Sequence, residues 1–125
     1  MGTPFTLTFE DRGSYLFAHL CGHDSFEASL QYWQEICDKT IALGHKKLLV
    51  HENLLGELSK TQIFEIVTHF TKPKYLGIQL AFYDENMDDG TLNALGQLVA
   101  TNRAARMEIF PSLDAAQLWI EQDDD

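Results

Sequence analysis

The sequence predicts an α/β domain built on a mixed, mainly parallel sheet that opens with an antiparallel β-hairpin, in the order β-β-α-β-α-β-α-β-α. Three observations predict it. Two apolar runs near the start are joined by a short polar connection, helical-period stretches then alternate with short apolar runs, and helix-start signatures stand between them. The short joint implies an antiparallel pair, because parallel strands need a crossover of a dozen or more residues. The later alternation implies parallel strands with right-handed crossovers. A length of 125 residues suits one domain, placed at 1–122, with the acidic run Asp123-Asp124-Asp125 as a solvated tail.

In chain order, Phe5, Leu7 and Phe9 alternate with threonines as a half-buried strand does, and Asp11-Arg12-Gly13-Ser14 turns the chain into a second strand, Tyr15 to Cys21. Asp24 is placed to cap a helix, with Glu27 reaching back. Phe26, Leu30, Trp33, Ile36, Cys37 and Ile41 give that helix an apolar face ending at Gly44. Lys47 to Val50 forms the next strand and runs through His51-Glu52-Asn53 into a loop. Ser59-Lys60-Thr61-Gln62 is a capping box, with Leu58 and Ile63 as its hydrophobic staple. The helix that follows carries Ile63, Ile66, Val67 and Phe70 and must stop before Pro73.

Leu76 to Tyr83 reads as a buried strand, with a loop from Asp84 to Gly90 beyond its carboxyl end. A helix from about Thr91 to Asn102 would bury Leu92, Leu95, Leu98 and Val99. Arg106 to Phe110 is the last strand, and Ser112 caps a closing helix bearing Ala116, Leu118, Trp119 and Ile120.

Composition narrows the function classes. Hydrophobic residues at 45% and charged residues at 22% are globular values. A net charge of −10 repels phosphate backbones and anionic headgroups, so nucleic acid is not expected as a partner. Cys21 and Cys37 cannot build a disulfide framework, and the start of the chain lacks the basic, apolar and small-residue segments of an export signal, so a cytoplasmic location is expected. No stretch approaches the roughly 20 apolar residues of a membrane span.

Four stretches carry a family likeness: Tyr15 to Cys21; Leu30-Gln31-Tyr32-Trp33; Leu48-Leu49-Val50-His51-Glu52 with Ser59 soon after; and Arg103 to Phe110 before Asp114 to Trp119. In pattern and order they resemble the SpoIIAA-like branch of the STAS superfamily of sulfate-transporter and anti-sigma-factor-antagonist domains, which overlaps with SEC14-like lipid-binding proteins. The resemblance implies a regulatory, non-catalytic module that binds a protein partner or itself as a homodimer. The SEC14-like side implies a small apolar ligand or lipid instead. In the antagonists a phosphorylated serine opens the helix after the central strand within an Asp-Ser-Ser-Gly motif. Ser59 matches by location, whereas Leu58-Ser59-Lys60-Thr61 lacks both the aspartate and the glycine.

The candidate site residues follow from chemistry. Ser59, with Thr61 in the same turn, is a helix cap, and a phosphate there would meet the positive end of the helix dipole. His51, Glu52, Asp84 and Glu85 end two strands expected to be neighbours, where open α/β sheets bind ligands, and a histidine beside carboxylates can act as a base. An enzyme would need His51, Glu52 and Asp84 in one cleft. His19, Cys21 and His23 alternate onto one strand face, but that face is expected to feed the core with Tyr15 and Phe17, and no metal site is assigned to it. The aromatics Phe26, Trp33, Phe64, Phe70, Phe82, Tyr83, Phe110 and Trp119 are expected mostly in the core. Phe64 falls beside the apolar stripe of its helix and is expected at an interaction face. The chain holds no Gly-rich phosphate loop, no Gly-x-Ser-x-Gly elbow and no His-Glu-x-x-His, so no cofactor and no catalysis are expected.

Overall fold

The computed structural model describes residues 4–56, 58–86 and 106–122. Its elements are β1 (Phe5–Asp11), β2 (Leu16–His23), α1 (Phe26–Ala42), β3 (Lys47–Leu55), α2 (Lys60–His69), β4 (Gln79–Asp84), β5 (Arg106–Ile109) and α3 (Leu113–Ile120). The five strands lie in one sheet in sequence order. Only β1 and β2 are antiparallel, and β2 through β5 run parallel, as the sequence predicts.

The register puts two apolar rows on one face of the sheet. Leu16, Leu48, Leu80 and Met107 form the first, and Ala18, Val50, Phe82 and Ile109 the second. Ala28, Tyr32 and Ile36 of α1 pack on these rows and make the larger core. On the opposite face Tyr15, Leu49 and Ala81 meet Ala116 and Ile120 of α3 in a smaller core. The third row on the α1 face is Leu20, Glu52 and Asp84, so apolar packing gives way to carboxylates at the carboxyl ends of β3 and β4.

Several boundaries move for physical reasons. Ser25, not Asp24, caps α1: its hydroxyl accepts from the Ala28 amide, while Asp24 accepts from the Ser25 amide. The inner face of α1 is rotated from the expected one. Ser29, Tyr32 and Thr40 are buried alongside Ile36 and Cys37, and Ile41 is exposed; the Ser29 and Thr40 hydroxyls donate to carbonyls one turn back, and the Tyr32 hydroxyl reaches Asp24 and Glu52. The β3 strand continues through His51-Glu52-Asn53 to Leu55, since β2 supplies ladder partners the whole way. The strand expected from Leu76 begins at Gln79, and Asp84 is its last residue. The main core on β2 is the Leu16-Ala18-Leu20 face; of the alternate face, Tyr15 is buried while Phe17, His19 and Cys21 are only partly so. The helix expected at Thr91 to Asn102, the loop from residue 87 and the acidic tail lie outside the described residues.

Candidate functional site

The alternation of β3 decides how the strand-end residues are shared. His51 and Glu52 are consecutive, so they project to opposite faces of the sheet and do not enter one crevice. The two faces therefore carry two different groups.

On the α1 face, Glu52 and Asp84 are register partners, and both are buried. Tyr32 reaches them from α1. Its hydroxyl lies 3.2 Å from Glu52 Oε1 and 3.2 Å from Asp24 Oδ2. Ser29, one helical turn earlier, places Oγ 2.7 Å from Asp24 Oδ1. The backbone holds the same corner: the Asp24 amide donates to the Leu55 carbonyl at 2.7 Å, and the Glu85 amide donates to the Glu52 carbonyl at 2.8 Å. Asn86 Nδ2 donates to the Leu54 carbonyl at 2.6 Å. Burial, reinforced by the charges of Glu52 and Asp24, pushes the Tyr32 hydroxyl well above the usual tyrosine range, so it stays a donor. Sequence reasoning missed Asp24, Ser29 and Tyr32 as members of this group. The available signal was the Ser29-to-Tyr32 spacing of three on one helix face.

On the opposite face, His19, His51 and Tyr83 form one row across β2, β3 and β4. The two imidazoles approach to 4.5 Å between ring centroids, and His51 lies 5.1 Å from the Tyr83 ring. His51 Nε2 is 2.9 Å from Glu85 Oε1, and His19 Nε2 is 3.5 Å from Cys21 Sγ. Burial and then the nearby His51 charge lower the His19 pKa, against a smaller raising effect of Glu85. His23 is exposed at the strand end. Among the described residues no group of three or more His, Cys, Asp or Glu side chains converges to hold a metal ion.

Helix α2 presents the third feature. Ser59 is its N-cap, with the complete capping box: the hydroxyl accepts from the Gln62 amide at 3.1 Å, and Gln62 Oε1 accepts from the Ser59 amide at 3.0 Å. Ser59, Lys60 and Thr61 are all exposed. Phe64 is 47% exposed, and Leu55, at the end of β3, is 56% exposed. The inner side of α2 borders an apolar cavity of about 160 Å³ between the helices and the sheet, whose polar lining includes Asp24, Tyr32, Glu52, Asp84 and Arg106. Trp33, Phe70 and Phe82 are the expected aromatics that line it. Phe110 and Trp119 meet on the α3 side instead, with ring centroids 5.3 Å apart and tilted by 47°.

This architecture matches a solved structure, that of an anti-sigma factor antagonist from Mycobacterium paratuberculosis, with a TM-score of 0.67 at 15% identity over 98% of this chain and 100% of that one. No family model and no curated protein sequence matches the chain. The chain therefore shares its fold with that anti-sigma factor antagonist, the fold that the sequence resemblance implied. Among the described residues no helix is long and apolar enough to cross a membrane.

Proposed function

We propose that this chain is a non-catalytic regulatory module that acts by docking onto a protein partner. The observation that carries the reading is the end-to-end match in fold to a protein named as an anti-sigma factor antagonist. The docking surface in this reading is the outward side of α2 with the end of β3, where Leu55 and Phe64 are exposed and Ser59 caps the helix. A net charge of −10 favours a partner with a basic face, steering its approach.

The same reading makes the protein cytoplasmic and self-associating as a homodimer. Support for the dimer comes from β1: among the described residues it pairs only with β2, leaving an outer edge that carries the partly exposed Phe9. The division of His51 and Glu52 between opposite faces speaks against an enzyme built on His51, Glu52 and Asp84.

The experiment is affinity capture of the tagged full chain from the cells that make it, comparing wild type with Phe64→Asp. The expected result is at least one stoichiometric partner held by the wild type and lost by the variant, with both chains equally folded by circular dichroism. An identical set of captured proteins for both chains would place the partner elsewhere; no stoichiometric partner at all would overturn the reading.

A further inference from the structure

His19 and His51 are register partners on β2 and β3, on the sheet face away from α1. Both rings are partly buried, and their centroids lie 4.5 Å apart with the planes tilted by 32°. The ladder fixes this spacing, because side chains of one cross-strand row stand side by side on the same face. Tyr83 continues the row on β4, and just past that strand Glu85 Oε1 lies 2.9 Å from His51 Nε2. Glu85 is also tied through its backbone, its amide donating to the Glu52 carbonyl at 2.8 Å. Side chains and main chain therefore clasp the carboxyl ends of three strands at one place. β4 pairs with β3 only as far as Glu52, so Asn53, Leu54 and Leu55 keep β2 alone as ladder partner just beyond the clasp.

The charge around the pair sets how many protons it can hold. Glu85 is bonded to His51, and Cys21 Sγ lies 3.5 Å from His19 Nε2. On β1, Thr8 is the uncharged register neighbour of His19, and Glu10 farther along pairs with Arg12 at 3.3 Å. His23 at the end of β2 and Asp114 on α3 are exposed, and Glu121 after α3 accepts from the Tyr15 hydroxyl. One imidazolium here is offset by Glu85. Two at this spacing repel each other, and a single carboxylate offsets only one of them. Burial first, and then the charge of His51, lower the His19 pKa below its ordinary value of 6.5. The fold thus favours the neutral His19 ring, and the stability this lends is complete above 6.5 and lost as pH falls through the folded value.

We infer that His19 and His51 form a pH-operated clasp across β2 and β3, closed while the pair carries no more than one proton and opened when a second proton parts the rings and loosens the end of β3. The inference concerns the chain alone and does not rest on partner docking.

The test follows the full chain by NMR from about pH 8 to about pH 5, recording the histidine ring signals and the exchange protection of the Asn53, Leu54 and Leu55 amides. Each ring should report both protonation steps, as coupled sites do. Protection of the three amides, corrected for the intrinsic exchange rate, should fall at least about tenfold over this range in wild type. His19→Asn, which leaves one imidazole, should show a flat profile, and His51→Asn serves the same end should His19→Asn fail to fold. Glu85→Gln should move the loss of protection to lower pH, because the carboxylate draws protons to the pair. Independent single-site titration of the two rings, protection that does not change with pH, or an equal fall in wild type and the single-imidazole variants would each overturn the inference.

Discussion

The Tyr32 hydroxyl, 3.2 Å from Glu52 Oε1, ties the middle of α1 to the carboxyl end of β3 at the point where the apolar rows of the sheet stop. That hydroxyl is buried and serves acidic groups on two elements, Asp24 before α1 and Glu52 on β3. Hydrogen bonds to charged groups contribute about 1.5–3 kcal/mol, so Tyr32→Phe should lower unfolding free energy by about that amount. Urea denaturation checks it, and an unchanged midpoint would mean that neighbouring groups fully replace the hydroxyl.

A second prediction concerns acid. The His19 pKa is lowered in the fold, by burial and by His51, relative to its ordinary value of 6.5. The unfolded chain then takes up the proton more readily than the native one. Stability is therefore complete above that ordinary value and is lost as pH falls through the folded pKa. Denaturation midpoints measured from about pH 7.5 down to about pH 5 should fall less steeply for His19→Asn than for wild type. Parallel profiles would contradict the assignment.

Glycine geometry gives a third. Gly22 has φ of 120°, and a Cβ there would sit 2.6 Å from the Pro4 carbonyl oxygen and 2.9 Å from Phe5 Cα. Gly13 also has a positive φ, of 87°, but a Cβ there meets nothing within 4 Å. Gly13→Ala should thus cost about 1–2 kcal/mol from the backbone alone, and Gly22→Ala more, because rigid backbone must also shift. Thermal melts of the two variants order them directly.

The thiols should differ in reactivity. Burial pushes the Cys37 thiol up to about 12, while Cys21 is only partly buried on the other face of the sheet. Iodoacetamide applied to the native chain should label Cys37 only after denaturant is added, as peptide mass spectrometry would show. Early labelling of Cys37 would mean that α1 opens locally.

Ser59 separates capping from switching. Ser59→Ala should cost about 1 kcal/mol through loss of the cap, whereas Ser59→Asp should keep it, since aspartate caps as well as serine. Partner capture that is unchanged by Ser59→Asp leaves the residue as a cap; loss of capture would make its phosphorylation a control point.

Much of the fold was legible because its signals are local. The hairpin, the Ser59 capping box and the Ser112 cap each rest on residues within a few positions of one another, and each is found where it was expected. What was not legible depends on partners far along the chain. Asp24 looked like a helix cap, and only the approach of Tyr32 and Ser29 makes it part of a buried acidic group. The extension of β3 to Leu55 needed β2 alongside it, with β4 pairing only as far as Glu52. His51 and Glu52 were grouped by adjacency, and strand alternation parts them.

Native mass spectrometry of the full chain purified from its own cells tests the central claim most directly. A regulatory module that works by association predicts a species heavier than one 14.2 kDa chain, either a multiple of that mass or a complex with a second protein that Phe64→Asp dissociates. A single-chain mass for wild type and variant alike, at every concentration tried, would contradict it.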